Sequence, residues 1–212
     1  MDERLTELSC EEFAERLAAR EGVPGGGGSA ALVGALGASL CSMAGAFTLG
    51  KPRFAAVEGE LERIMEEAED VSFRLLELVE EDAEGFLPVS AAYALSRDDP
   101  SRPAAIERAT EDACMAPLAM VGECCRAVTL LEEMGRHCSR LLISDVACGA
   151  LLVRAALETA SVNVYVNTTA LADREVADRI ESTCSELIEE YVPRAEALAS
   201  EMTSLIGARR SA

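Results

Sequence analysis

From Ala55 onward, apolar residues return every three or four positions. Val57, Leu61, Ile64, Met65, Ala68, Val71, Leu75, Leu78 and Val79 fall on one side of a predicted helix, and a glutamate-rich solvated face fills the other. A helix is also predicted over Ser29 to Leu49, where no proline interrupts an Ala- and Leu-rich run. There Gly34, Gly37, Ala38, Cys41, Ser42 and Gly45 recur at helical spacing, a small-residue face that admits another backbone at close range. Upstream, Ser9 and Glu12 form the signature of a capping box ahead of Phe13 and Leu17, with the first helix ending near Arg20. The segment GKPRF, Gly50 to Phe54, is a break, because glycine ends helices and Pro52 cannot continue one.

The second half continues the pattern. SRDDPSRP, Ser96 to Pro103, reads as a loop, and a helix follows from Ala104 to about Cys138 with Pro117 kinking it. Leu141 to Leu157 is almost wholly apolar and long enough for a central helix. VNVYVN, Val162 to Asn167, alternates as a strand does, yet one strand in a helical chain has nothing to pair with. It therefore reads as more helix, with Asn163 and Asn167 on one face. The last helix runs from about Asp173 to Gly207, bent at Pro193. These elements predict an all-α fold, a bundle of about six long helices forming a single domain over residues 1–212.

Composition narrows the function. The chain of 212 residues is 50% hydrophobic but only 4% aromatic, so its core is built from Ala, Leu and Val, which suit close helix packing. Nineteen basic residues against 38 acidic ones give a formal net charge of -19, which argues against a nucleic-acid partner. Ser29 to Gly50 is long enough to ask whether it spans a membrane, but its Gly, Ala and Ser content favours a buried core helix and no membrane partner is expected. The charged N-terminal stretch lacks a signal-peptide core, so a cytoplasmic location is expected. Eight cysteines without a C-x-x-C pair, beside a single histidine, His137, read as buried free thiols rather than as a metal site or disulfides.

Several residues stand out. Pro24 and four glycines, Gly25, Gly26, Gly27 and Gly28, precede Ser29 and an alanine-rich run, which reads either as a flexible connector or as a loop whose backbone N–H groups meet a ligand. Asp145, after Ser144, has apolar neighbours on both sides, so it is either a partly exposed acid at a helix start or a buried carboxylate that needs partners. Arg154 lies in the same apolar segment, which an internal ion pair or anion binding would explain. Asp82 is one acid among Glu80, Glu81 and Glu84 and reads, alone, as a surface residue; Lys51 and Arg53 form a small basic spot at a helix end.

Taken in order, PGGGGSAAL, MAGAFTLGKPRF, EEDAEGF, ISDVACGALLVRAAL and SVNVYVN resemble the cyclodeaminase domain of the formimidoyltransferase-cyclodeaminase family and its stand-alone bacterial methenyltetrahydrofolate cyclohydrolases, from about Leu8 to Ile206. The resemblance implies a helical, homodimeric enzyme acting on the carbon between N5 and N10 of tetrahydrofolate, with the folate as substrate and no further cofactor or metal. It implies catalytic roles for Asp82, as general acid/base, and Asp145, as an orienting or pterin-binding carboxylate. Gly25 to Gly28, Ser29 and Ser144 are then substrate-binding, and Lys51 and Arg53 meet the folate carboxylates. The chain departs from the family pattern in two places: Gly28 stands where PGGGS has its serine, and His137 and Cys138 occupy the stretch where a Gly-Asn pair usually precedes the SD. The alternative these departures leave is a helical folate-binding or scaffold protein with an altered or lost site.

Overall fold

The computed structural model describes residues 4–207, and among them every regular element is helical. Seven α-helices follow in order: α1 (Cys10–Ala18), α2 (Gly26–Ala46), α3 (Glu58–Ala94), α4 (Arg102–Ala113), α5 (Met115–His137), α6 (Ile143–Thr169) and α7 (Arg174–Gly207). Short 3-10 turns at Leu5–Glu7 and Pro52–Val57 complete the list. The all-α bundle expected from periodicity is the observed architecture, with two corrections to its boundaries.

The first correction is at α2, which begins at Gly26, inside the glycine run, rather than at Ser29. Ser29 is already one turn into the helix, its N–H and its hydroxyl both donating to Gly25 O at 3.0 and 2.9 Å. The second is at Cys114, where the predicted helix over 104–138 divides into α4 and α5. Pro117 causes no kink there, because it occupies the first turn of α5, where its missing N–H has no intrahelical partner to lose. Pro193 lies within the continuous α7 and Pro88 within α3. The VNVYVN segment is the last part of α6, as its lack of a pairing partner required.

Local sequence explains the ends. The capping box forms at α1: Ser9 Oγ accepts from Glu12 N–H while the Glu12 carboxylate accepts from Ser9 N–H. Gly50 ends the α2 region at φ 72°, the left-handed conformation that costs glycine little.

Helix α2 packs against α3, α5 and α6. Its small-residue face does what its spacing predicts. A Cβ on Gly37 would sit 2.5 Å from Val153 Cγ2 and 3.0 Å from Gly149 O, so α2 and α6 meet backbone to backbone at that crossing. Leu61, Ile64, Ala68, Val71, Leu75, Leu78 and Val79 of α3 are fully buried, the stripe read from the sequence. Burying one such Leu or Ile contributes about 1.5–3 kcal/mol. Two segments, Gly26–Ala46 and Arg102–His137, have the length and mean hydropathy (1.5 and 1.4) of a membrane span, with half or more of each window packed inside the bundle. Six of the eight cysteines are buried; Cys10 and Cys148 are exposed, and all eight are free thiols. Burial pushes the Cys41 thiol up to about 12 and Cys114 up to about 11, so these are packing groups rather than nucleophiles.

Helix α3, at 37 residues about 55 Å long, outruns the bundle core, and its second half pairs with α4 as a hairpin. That overhang forms one wall of the site.

Candidate functional site

Where α2 begins, its first turn, the second half of α3, the end of α4 and the last turns of α6 enclose a cavity of about 380 Å³. The cavity explains the glycine run. Asp82, projecting from α3, lies against the α2 N-terminus so closely that a Cβ on Gly27 would overlap its carboxylate, with Cγ and Oδ2 at 2.5 Å. A Cβ on Gly26 would stand 3.3 Å from both amide heteroatoms of Asn163. Gly28 N–H donates to the Asp82 carboxylate. The glycines therefore let α2 end against a carboxylate and an amide, and Gly28 contributes its backbone donor rather than a side chain.

The electrostatics of Asp82 follow from this position. It is half-buried; removal from water raises its carboxyl above the ordinary carboxylate range, and the Gly28 N–H offsets part of that rise. Among the described residues no Lys, Arg or His lines the cavity. Burial therefore favours the protonated form of Asp82, with no cation among the described lining residues to offset it. The surface-residue reading of Asp82 does not survive this placement.

The rest of the wall was not assigned by sequence reasoning. Phe86 and Tyr93, two turns apart on α3, line the cavity with exposed rings, and Thr110 and Ala113 come from α4. Asn163 and Asn167 come from α6. The sequence had placed the two asparagines on one helical face, the signal that would have found them. Nothing in the α4 sequence distinguishes Thr110.

The remaining candidates gather at the other end of the bundle. Asp145 lies 18 residues before Asn163 on the same helix, about 27 Å along its axis. It is half-buried in the first turn of α6, where the helix dipole favours a negative charge, and Ser144 Oγ donates to its Oδ2 at 3.4 Å. Nearby, Arg53 Nη2 donates to Ser139 Oγ at 2.8 Å and its guanidinium lies 4.5 Å above the Phe54 ring. Ser139 N–H in turn donates to Thr48 Oγ1 at 2.9 Å, and both Ser139 and Thr48 are fully buried. Lys51 precedes Arg53 at the same end of α2. The structure therefore joins Asp82 with Gly25, Gly26, Gly27 and Gly28. Within one chain it does not bring Asp145, Ser144, Lys51 or Arg53 to them, and Ser29 faces its own helix. Arg154 takes the ion-pair option, meeting Glu158 at 3.3 Å and Glu196 at 3.5 Å. Among the described residues no group of three or more His, Cys, Asp or Glu is placed to hold a metal.

Comparison with known proteins gives this geometry its context. The sequence profile of the formiminotransferase-cyclodeaminase family matches residues 9–186. A methenyltetrahydrofolate cyclohydrolase from Methylorubrum extorquens is 36% identical over 174 residues, which are 80% of this chain and 84% of that protein. The formimidoyltransferase-cyclodeaminase of Mus musculus is 28% identical over 194 residues, 89% of this chain but 36% of the relative, so the chain spans about a third of that protein. The crystal structure of a formiminotetrahydrofolate cyclodeaminase from Thermotoga maritima superposes with a TM-score of 0.82 at 27% identity, covering 95% of this chain and 97% of the other.

Proposed function

The chain belongs to the formiminotransferase-cyclodeaminase family, and from that premise we propose that it is a folate enzyme acting on the carbon between N5 and N10, as a methenyltetrahydrofolate cyclohydrolase. The observation that carries the proposal is the carboxylate of Asp82, desolvated in a cation-free cavity against the glycine start of α2. Such a site suits a substrate whose reacting carbon is a delocalised cation. When the methenyl cation binds, it offsets the cost of ionising Asp82, so the carboxylate forms where the positive charge is.

In this reading Asp82 takes a proton from the water that attacks the methenyl carbon, giving a neutral tetrahedral carbon bonded to N5, N10 and hydroxyl. It then returns that proton to N5 as the N5–C bond breaks, and the hydroxyl proton is lost as the formyl carbonyl forms. The products are 10-formyltetrahydrofolate and one proton. A positioned acid/base of this kind contributes about 10²–10⁴-fold.

A second reading is favoured by the Thermotoga maritima cyclodeaminase, which matches nearly end to end. In this second reading N10 attacks the carbon of the protonated formimidoyl group, Asp82 accepts the N10 proton and passes it to the resulting amine, and ammonia leaves to give the methenyl cation. The deciding experiment follows methenyl absorbance of purified protein with 5,10-methenyltetrahydrofolate and, separately, with 5-formimidoyltetrahydrofolate. Loss of the chromophore faster than buffer supports the cyclohydrolase, and its appearance with ammonia release supports the cyclodeaminase. Neither change would overturn both readings and favour a scaffold of the same fold.

The working unit in this proposal is a homodimer. Leu36 and Met43 of α2, Phe47 directly after it, and Leu151, Val162 and Val166 of α6 are exposed large apolar side chains in a chain of net charge -19. The two helices run antiparallel, with the start of α2 beside Asn163 and Thr48 near its end beside Ser139. A two-fold partner over this face would carry its own Asp145, Lys51 and Arg53 toward the Asp82 cavity and supply the cations that the folate carboxylates require. A monomeric mass in solution at assay concentration would contradict it.

A further inference from the structure

Resting on the folate reading above, we propose that the amide oxygens of Asn163 and Asn167 are specificity-determining contacts that read the donor edge of the pterin, its 2-amino and ring N–H groups. Both side chains are oriented by the protein itself. Asn163 Nδ2 donates to Thr159 O at 2.9 Å and Asn167 Nδ2 donates to Ala113 O at 2.9 Å, which fixes each amide and leaves each Oδ1 as an acceptor. The two residues are four apart on α6, so their Cα positions rise about 6 Å along one face. That spacing is comparable with the long axis of a two-ring pteridine.

The order of groups along the cavity fits one direction of binding. Asp82 and Gly27 stand at one end, Asn163 comes next, against Gly26, and Asn167 with Ala113 and Thr110 closes the other. With the reacting bridge at Asp82, the pyrimidine ring reaches Asn163 and Asn167, and the bicycle passes the rings of Phe86 and Tyr93, the latter with the Arg102 guanidinium 5.6 Å from its centroid. The lining offers a carboxylate and two fixed acceptors and no Lys, Arg or His, so it selects a donor-rich, cationic head and leaves the anionic glutamate tail outside. A separate observation marks the same corner. Thr110 is 2% exposed, and its hydroxyl is the only buried one among the described residues without a hydrogen-bond partner, so the polar complement at this end is left unfinished by the protein.

The test compares kcat/KM for 5,10-methenyltetrahydrofolate and its 2-desamino-2-methyl analogue in the wild type, Asn167→Leu and Asn163→Leu. The wild type is expected to prefer the natural substrate by on the order of tenfold or more, the worth of one hydrogen bond to a fixed acceptor. Asn167→Leu is expected to reduce that preference to within about twofold, raising KM for the natural substrate while changing kcat little. Asn163 Nδ2 bonds only its own helix, so should loss of the Asn167–Ala113 link unfold the protein, Asn163→Leu carries the parallel test with a 3-methyl analogue that lacks the ring N–H. A preference that survives in a folded variant, with both substrates weakened equally, would assign the asparagines a structural role and overturn the inference while the folate reading stands. Absence of wild-type turnover on the natural substrate would remove the folate reading itself, and this inference with it.

Discussion

At the end of the bundle where α2 begins, the wall of the cavity holds a carboxylate, two amide oxygens and two aromatic rings, with no cation among the described lining residues and Arg102 lying 5.6 Å over the Tyr93 ring. At the end where α2 stops, about 30 Å away, Lys51 and Arg53 have no carboxylate partner among the described residues, and Arg53 is held by a serine hydroxyl and an aromatic ring. The two carboxylates differ in the same way. Asp82 is set against glycine backbone and lifted in pKa by burial, whereas Asp145 occupies the first turn of α6, a common place for an acid. In the proposed reading the first end serves proton transfer beside a cation and the second holds an anion. A folate has both needs, a cationic one-carbon bridge at its head and carboxylates at its tail. The comparison therefore separates chemistry from anchoring, and variants at the two ends should fail differently.

The largest expected effect is at the first end. Asp82→Asn removes the proton acceptor and is expected to lower kcat by about 10²–10⁴-fold. Stability moves the other way. The folded pKa of Asp82 is raised by burial, so its contribution is fully present below the unfolded pKa and is lost as pH rises through the folded pKa. At pH 7 the ionised group costs the fold, and Asp82→Asn is expected to keep or raise Tm there, with the advantage shrinking toward acidic pH in thermal scans.

Next comes Gly27→Ala, whose methyl would overlap the Asp82 carboxylate and displace it. A displacement near 1 Å costs about 10² in rate and the overpacking about 1–3 kcal/mol, so both kcat and Tm should fall. At the second end the loss should appear in binding. Arg53→Gln is expected to raise KM by roughly tenfold or less with kcat nearly unchanged, and steady-state kinetics would show an equal fall in kcat if Arg53 instead served the chemistry. The smallest effect on activity is expected between the ends. Gly37→Ala, at the backbone contact of α2 with α6, should destabilise by about 1–3 kcal/mol in urea unfolding and leave kcat of the folded fraction in place.

The helices were legible because burial writes a period into the chain: the α3 stripe and the Gly34–Gly45 face both pack as their spacing requires. The boundary at Gly26 was not. Glycine has low intrinsic helix propensity, and only the close approach of Asp82 and Asn163 makes it the residue that fits a first turn there. Asp82 was hidden for a related reason: its neighbours in sequence are solvated glutamates, and its burial comes from a segment more than fifty positions away. The family resemblance pointed to Asp82, and the structure sets its half-buried carboxylate against the glycine start of α2. Asn163 and Asn167 were recognised as sharing a face, but the cavity they share with Asp82 exists only once α3, α4 and α6 are assembled.

The central claim is that the desolvated carboxylate of Asp82 runs the reaction, and the pH dependence of kcat/KM on 5,10-methenyltetrahydrofolate, corrected for the buffer rate, tests it most directly. The account predicts an acidic limb whose midpoint lies above the ordinary aspartate range in the wild type and is absent from the residual activity of Asp82→Asn. A wild-type profile without that limb, or the same limb at near-normal rate in Asp82→Asn, would contradict it.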